Sequence, residues 1–148
     1  MEPVNIHGTA ISVENTGLLF LGPSGIGKSA LAFSCLASAR PLGLQAALIA
    51  DDRVLLSREN SRILAACPPS IAGQMEIRGT GIVQMAHRSP VFVDFAVLPG
   101  TPATSARLPE EDEWIEVAEG IRLPVIRLFN TAINPLAVIM AKIPAHFT

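Results

Sequence analysis

The stretch FLGPSGIGKSAL, residues 20–31, constrains the fold more than any other part of the chain. Gly22, Gly27, Lys28 and Ser29 match the phosphate-binding pattern G-x-x-x-x-G-K-[ST] at every position. In such a loop, successive backbone N–H groups turn inward and bind phosphate oxygens, and glycines permit the backbone angles that this requires. The pattern needs a strand before it and a helix after it. Both are predicted, because an apolar run precedes the loop and an alanine- and leucine-rich segment follows it.

The loop also predicts what its side chains do. Lys28 is expected to neutralise charge on the β- and γ-phosphates of a nucleotide, and the Ser29 hydroxyl is expected to hold Mg²⁺. The loop alone leaves kinases, ATPases and switches open. The helix that follows directs the positive end of its dipole at the same anion. The predicted ATP-binding residues are Gly22, Pro23, Ser24, Gly25, Ile26, Gly27, Lys28 and Ser29.

A pair of carboxylates follows the next apolar run, ALIADD, and supplies Asp51 and Asp52. An apolar strand that ends in aspartate is typical of the second element of a magnesium–nucleotide site. Adjacent residues of a strand point to opposite faces, so the two carboxylates are suited to different tasks. One is expected to act on the metal and the other to accept a proton from a hydroxyl substrate. The sequence leaves open which residue does which.

Composition narrows the class of protein. The chain has 148 residues, of which 49% are apolar and 16% charged, and this predicts a folded domain over residues 1–148. A net charge of −2 without a basic stripe gives no reason to expect nucleic acid. No apolar run approaches the ~18 residues of a membrane span. Cys35 and Cys67 lie in apolar surroundings without metal-like spacing, which indicates buried free thiols and a cytoplasmic protein.

The chain pattern predicts many strands and few helices, without the alternation of a doubly wound parallel sheet. The opening segment indicates two strands around a turn at Glu14–Gly17. A helix is expected after Ser29, and an irregular loop or bulged strand in QMEIRGTGIVQM. A flexible loop is expected at about residues 100–113. The other predicted strands are AALIA, RILAAC, PVFVDFAVLPG, RLPVIRLF and LAVIMAKI.

Three stretches around the loop carry a family resemblance. NIHG precedes it, and IADDRVLL and then MEIRGTGIV, Met75–Val83, follow it. In this order the set resembles the C-terminal catalytic domain of bacterial HPr kinase/phosphorylase, over about residues 5–98. The resemblance implies an α/β fold, a P-loop-containing mixed β-sheet domain with few helices like the nucleotide domain of phosphoenolpyruvate carboxykinase. It implies an ATP- and Mg²⁺-dependent kinase that phosphorylates a serine of HPr, the small phosphocarrier of the sugar phosphotransferase system, and a homo-oligomer, typically a hexamer.

The resemblance also implies roles for single residues. His7 matches the family histidine near the transferred phosphate, and Lys28, Asp51 and Asp52 match its phosphate lysine and aspartate pair. Glu76 matches a second Mg²⁺ ligand beside Ser29. Arg107 corresponds to an arginine of a mobile loop on the substrate side, so the implied catalytic residues are His7, Lys28, Asp51, Asp52 and Arg107. The implied signature loop contains Glu76, Ile77, Arg78, Gly79 and Gly81.

The sequence departs from the family at three places. We expect a short form that lacks the additional N-terminal domain of the family. The R-P-G-R element associated with the reverse, phosphorylase reaction is absent, and Met140 replaces a family glutamate, so the reverse direction stays open. Two alternatives stay open as well: a non-catalytic module that senses nucleotide, and a kinase on the same scaffold with another protein or a small molecule as substrate.

Overall fold

A computed structural model of the chain describes residues 2–147. The strands in its first half are β1 (Val4–His7), β2 (Thr9–Val13), β3 (Thr16–Phe20), β4 (Ala46–Ala50), β5 (Arg53–Glu59), β6 (Arg62–Ala66), β7 (Gln74–Ile77) and β8 (Gly81–Gln84). The later strands are β9 (Val91–Val93), β10 (Phe95–Gly100), β11 (Trp114–Ala118) and β12 (Ile121–Phe129). The α-helices are α1 (Lys28–Ala39) and α2 (Pro135–Lys142), and short 3₁₀ turns lie at Pro69–Ile71 and Pro144–His146.

The strands form a mixed six-stranded sheet, a four-stranded sheet and a hairpin. The six-stranded sheet has the order β11-β12-β10-β3-β2-β4, in which β3, β10 and β12 are parallel to one another. The four-stranded sheet, β1-β5-β6-β9, is antiparallel throughout, and β7 pairs with β8 alone. A strand-rich mixed sheet with few helices, as predicted, is confirmed.

The six-stranded sheet is the middle layer of the molecule. Helices α1 and α2 pack on one of its faces, around Phe20, Cys35 and Leu136. The four-stranded sheet packs on the other face, around Leu19 and Leu56. Every residue of β2 and β3 is therefore buried, and this explains why TAISV and TGLLF lack the alternation of a half-exposed strand.

The three parallel strands place their carboxyl ends at one edge of the middle layer. The phosphate-binding loop follows β3 there, and Leu21 N–H donates to the Val97 carbonyl of the neighbouring β10, 3.0 Å away. Residues 101–113 follow β10 at the same edge and contain neither strand nor helix. This edge is where ligand sites form in open α/β sheets.

The prediction of a strand at LAVIMAKI is wrong, because this segment is the helix α2. Asn134 caps it by accepting a hydrogen bond from Ala137 N–H at 3.2 Å, and Pro135 occupies its first position. Leu136 and Ile139, three residues apart, are buried on the face toward α1. A continuous apolar run of this length has no periodicity that separates a buried strand from a short helix.

The segment PVFVDFAVLPG is not one strand but two, in different sheets. Asp94 separates β9 from β10, and its carboxylate accepts a hydrogen bond from Gly17 N–H at 2.9 Å. Position 17 suits glycine, because an added Cβ would meet the Phe92 carbonyl and lie 2.8 Å from Val93 Cα. The close approach of β3 to β9 thus joins the two large sheets.

Two further local predictions differ from the structure. The opening segment contains three strands, since β1 precedes the predicted hairpin of β2 and β3 and belongs to the other sheet. QMEIRGTGIVQM is a regular hairpin, in which Thr80 N–H donates to the Ile77 carbonyl and closes the turn.

Of the two free cysteines, Cys35 is buried as predicted, and burial raises the pKa of its thiol to about 12. Cys67 is only half-buried, which differs from the prediction. Within residues 2–147, neither α-helix has the length and apolar character needed to cross a bilayer.

Candidate active site

The loop between β3 and α1 has the backbone of a phosphate cradle. Gly25 and Gly27 have φ angles of 86° and 104°, which side-chain-bearing residues rarely adopt. Helix α1 begins directly after Gly27, and none of the described side chains caps its first turn. Ile26 N–H donates to the Pro23 carbonyl at 3.2 Å, and the other loop amides and the first N–H groups of the helix remain available for an anion.

Lys28 turns back over this loop. Its Nζ donates to the carbonyls of Gly22 and Pro23, at 2.7 and 3.1 Å, and the residue is only 7% exposed. Burial lowers the pKa of the Lys28 ammonium, while the nearby charges of Asp52 and Asp51 raise it in opposition. The Lys28 ammonium is thus held against the phosphate-binding loop, close enough to Asp51 and Asp52 to interact with their charges.

Asp51 is the buried centre of the site, at 5% exposed. Its Oδ1 accepts hydrogen bonds from Ser29 Oγ at 2.7 Å and from Thr9 Oγ1 at 2.9 Å. Its Oδ2 accepts one from Glu76 N–H at 3.1 Å. A buried carboxylate needs such partners, and here they tie together the P-loop helix, β2, β4 and β7.

Asp52 has the opposite environment. Its side chain is 69% exposed, and its Oδ1 lies 3.1 Å from His7 Nε2. The register of the sheet explains this contact, because His7 pairs with Arg53 across β1 and β5, and Gly8 N–H donates to the Asp52 carbonyl. Asp52 also has φ 71°, a left-handed angle that aspartate adopts more readily than most residues with a side chain.

The hairpin of β7 and β8 closes the site from the other side. Glu76, Ile77 and Arg78 line the same pocket as the P-loop. The Arg78 guanidinium lies beside Gly25, at 4.0 Å from where a Cβ on that glycine would stand. Gly79 and Gly81 lie in and after the turn of this hairpin, with φ 82° and 126°.

Together these elements enclose a pocket of about 380 Å³. Most of the predicted site residues meet there, although they come from distant parts of the sequence. The lining residues are His7, Thr9, Ser24, Gly25, Gly27, Lys28, Ser29, Ala30, Phe33, Asp51, Asp52, Glu76, Ile77 and Arg78.

Arg107 is the predicted catalytic residue that this pocket does not include. It lines a separate cavity of about 150 Å³ beside Leu98, Arg127 and Phe129, at the ends of β10 and β12. The neighbouring Arg127 donates two hydrogen bonds to Glu113, both at 2.8 Å. Arg78, and not Arg107, is therefore the arginine next to the phosphate cradle in this structure.

Sequence reasoning missed two polar contacts of the site. Thr9, which holds Asp51, lies two residues after His7 in β2, and its role is visible only from the pairing of β2 with β4. Asn130 Nδ2 donates to the Ile26 carbonyl in the P-loop at 3.1 Å, across 104 positions of sequence. The sequence assigned a role to neither residue, and the strand pairing and the fold reveal their contacts.

With this geometry established, the comparisons with known proteins identify the family. The family model described as HPr Serine kinase C-terminal domain matches residues 1–89, which contain every residue that lines the pocket. The chain belongs to this family.

The relatives of this HPr serine kinase domain agree with the assignment. HPr kinase/phosphorylase of Streptococcus sanguinis is 32% identical over 138 residues, which are 86% of this chain and 42% of that protein. HPr kinase/phosphorylase of Lacticaseibacillus casei is 34% identical over 87 residues, 58% of this chain and 25% of that protein. The chain therefore spans less than half the length of these relatives.

A solved structure extends the likeness of the fold beyond the family match. The HPr(Ser) kinase/phosphatase from Coxiella burnetii superimposes with a TM-score of 0.77 at 23% identity, over 97% of this chain and 90% of that one. Residues 90–147, which the family model does not match, therefore follow the same fold.

Proposed function

We propose that the chain is an ATP- and Mg²⁺-dependent protein serine kinase that acts on HPr. One observation carries the proposal: two adjacent carboxylates with different environments lie in the same pocket as a phosphate cradle. Asp51 is buried and bonded to Ser29, and Asp52 is exposed and paired with His7. The names of the relatives support HPr as the acceptor.

The cradle suits the terminal phosphates of ATP. Loop amides and the start of α1 donate hydrogen bonds, and Lys28 neutralises charge that develops as the γ-phosphoryl group moves. Arg78 adds a second cation beside Gly25. Phosphoryl transfer depends chiefly on such positioning and charge compensation.

The donor atoms of the pocket fit Mg²⁺. Ser29 Oγ and Asp51 Oδ1 lie 2.7 Å apart, and the Glu76 carboxylate lines the same pocket. Hydroxyl and carboxylate oxygens are the ligands that Mg²⁺ prefers, and substrate phosphates complete its shell. When bound, the ion would neutralise phosphate charge.

Asp52 is the better candidate for the proton acceptor, a point that the sequence left open. The Asp51 carboxylate already accepts three hydrogen bonds, from Ser29, Thr9 and the Glu76 amide, so Asp51 serves as an anchor. Asp52 is open to an incoming substrate. It would take the proton of the acceptor serine as that oxygen bonds to the γ-phosphorus and the bond to the β-phosphate oxygen breaks, leaving ADP.

His7 orients the Asp52 carboxylate through its 3.1 Å contact. In the reverse reaction inorganic phosphate would take the phosphoryl group and form pyrophosphate, and a protonated Asp52 would give its proton to the serine oxygen as the bond from that oxygen to phosphorus breaks. Because Arg127 is bonded to Glu113 and lies away from the pocket, nothing observed in the described residues replaces the absent R-P-G-R element. The reverse direction therefore stays open, and the proposal concerns the kinase direction.

Three wider expectations accompany the proposal. From the family resemblance we propose a homo-oligomer, a hexamer by analogy, and a cytoplasmic location. Arg107 is proposed to act on the substrate side, at the loop of residues 101–113. Size-exclusion chromatography with light scattering tests the first of these directly.

The decisive experiment incubates the purified chain with HPr and [γ-³²P]ATP in the presence of Mg²⁺. We expect label on a serine of HPr and none with Lys28→Ala. A chain that binds Mg-ATP but labels nothing would instead be a nucleotide-sensing module. A chain that labels another protein or a small molecule in a lysate, but not HPr, would be a kinase with a different acceptor.

A further inference from the structure

The contact between Asn130 and the P-loop is not explained by any motif. Asn130 follows β12 directly, and its side-chain amide donates to the Ile26 carbonyl at 3.1 Å. The residue is half-buried and uncharged. It joins the far end of the chain to the loop that is expected to hold phosphate.

The sheet fixes the position from which Asn130 acts. Its own N–H donates to the Gly100 carbonyl at 2.7 Å, which continues the pairing of β12 with β10 by one residue beyond Phe129. The backbone of Asn130 is thus held by the middle layer, and its side chain reaches across to the loop after β3.

The planarity of the peptide unit shows what this contact controls. In a trans peptide the C=O of Ile26 and the N–H of Gly27 point in opposite directions in one plane. A donor that fixes the direction of the Ile26 carbonyl therefore also fixes the direction of the Gly27 N–H, and Gly27 lines the pocket. Gly27 has φ 104° and no side chain that would restrain rotation of this peptide plane.

We propose that Asn130 is a positioning residue that presets the P-loop for phosphate by fixing the peptide plane between Ile26 and Gly27. The inference rests on the proposed function of this pocket as a nucleotide site. Unlike Lys28, which donates to other loop carbonyls and is needed at the phosphates, Asn130 has no competing task. Its bond can persist when nucleotide is bound.

The test compares Asn130→Asp and Asn130→Ala with a matched control, Asn134→Ala. Aspartate keeps the shape but cannot donate to the carbonyl, and alanine removes the group. Asn134 lies in the same segment and caps α2 without contacting the P-loop in the described contacts. Asn130→Gln, which retains the amide donor, is the conservative variant.

Hydrogen exchange of the P-loop amides is measured first, in the free protein, relative to the amides of β3. We expect exchange at the hydrogen-bonded amides of Ile26 and Leu31, which donate to the Pro23 and Gly27 carbonyls, to rise about three- to tenfold in both Asn130→Asp and Asn130→Ala, as the loss of one hydrogen bond implies. Asn134→Ala should leave that ratio unchanged even if it lowers overall stability. Equal P-loop exchange in wild type and Asn130→Asp would overturn the proposal.

Calorimetric titration with Mg-ATP is measured second. Asn130→Asp and Asn130→Ala should weaken Kd by about three- to tenfold, with KM for ATP rising more than kcat falls, and Asn130→Gln should recover part of the loss. If wild type binds no Mg-ATP, the proposed function fails, while the exchange data still decide the role of Asn130. If wild type binds and the variants bind equally well, the positioning role fails alone.

Discussion

The parts of the chain before and after residue 89 contribute differently to the candidate active site. Every residue that lines the candidate active site lies within residues 1–89, the part that matches the family model. Residues 90–147 supply the parallel strands β10 and β12, the covering helix α2 and the Asn130 contact. The first part thus contains the candidate chemistry, and the second part supports the P-loop and forms a separate cavity around Arg107.

The first prediction tests this comparison with Asp52→Asn, for which we expect the largest loss of activity. If the exposed aspartate accepts the serine proton, its amide should lower kcat for HPr phosphorylation by about 10²- to 10⁴-fold. Binding of Mg-ATP should change by less than about threefold, because Asp52 does not anchor the loop. Steady-state kinetics and calorimetry separate the two quantities.

The control for that variant is Asp51→Asn. It disturbs the acceptor of the Ser29 hydroxyl, so we expect weaker Mg²⁺-dependent ATP binding as well as lost activity. The opposite pattern, with Asp51→Asn losing only kcat and Asp52→Asn losing affinity, would reverse the assigned roles.

A second prediction concerns the junction of the two parts, where Gly17 meets Asp94 and β9. Gly17→Ala would force a methyl group into the Phe92 carbonyl and to within 2.8 Å of Val93 Cα. We expect a loss of about 2–4 kcal/mol in the free energy of unfolding, since backbone atoms must move to relieve the overlap.

Urea denaturation measures this loss, with Gly43→Ala as the comparison. Gly43 has φ 74° but open space around it, so alanine there should cost only about 1 kcal/mol of backbone strain. Similar losses in the two variants would show that the overlap at the sheet junction is relieved cheaply.

The third prediction compares Arg78, in the first part, with Arg107, in the second part. Arg78→Ala should weaken Mg-ATP binding by about tenfold, because a cation beside the phosphate cradle is lost. Arg107→Ala should change the same Kd by less than about twofold, because its side chain lines another cavity. A larger loss of nucleotide affinity for Arg107→Ala would show that the loop of residues 101–113 reaches the pocket.

The difference between the two parts also explains how much the sequence could predict. The P-loop, the aspartate pair and the signature loop each combine rare residue types with fixed spacing, and the structure brings these motifs together in one pocket. Their backbone requirements are local, as at Gly25 and Gly27, so the sequence alone indicates the geometry. The exact partners of Asp51 and Asp52 depend on strand pairing and were not predictable.

In the second part, the errors arose where local sequence is ambiguous. LAVIMAKI is apolar at nearly every position, so its periodicity does not separate a strand from a helix. The Asn134 cap with Pro135 after it, and the burial of Leu136 and Ile139 against α1, decide for a helix. PVFVDFAVLPG has strong strand preference, but its break depends on the hydrogen bond between Asp94 and Gly17, 77 positions away. Tertiary contacts of this kind leave no periodic signal in the sequence.

The smallest predicted effect concerns the ion pair of Glu113 and Arg127 in the second part. The hydrogen bonds from Arg127 lower the pKa of the Glu113 carboxyl. A carboxyl whose pKa is lower in the folded state stabilises the fold above its unfolded pKa of about 4.3, and this contribution is lost as pH falls through the folded value. Both side chains are partly exposed, so Glu113→Gln should cost only about 0.5–1 kcal/mol at pH 7.

Urea denaturation of wild type and Glu113→Gln between pH 7 and pH 3 tests this sign. The stability difference should shrink steadily below about pH 4, as wild type loses the charge that the variant never had. Glu111→Gln is the control, because the Glu111 side chain is 84% exposed and lies 3.7 Å from Lys142, so its removal should leave stability nearly unchanged. A loss for Glu113→Gln that stayed constant to pH 3 would mean that packing, and not charge, fastens the end of the 101–113 loop to β12. The ion pair with Glu113 would then not hold Arg127 in place. One of the two reasons for excluding Arg127 from the chemistry of the pocket would be lost.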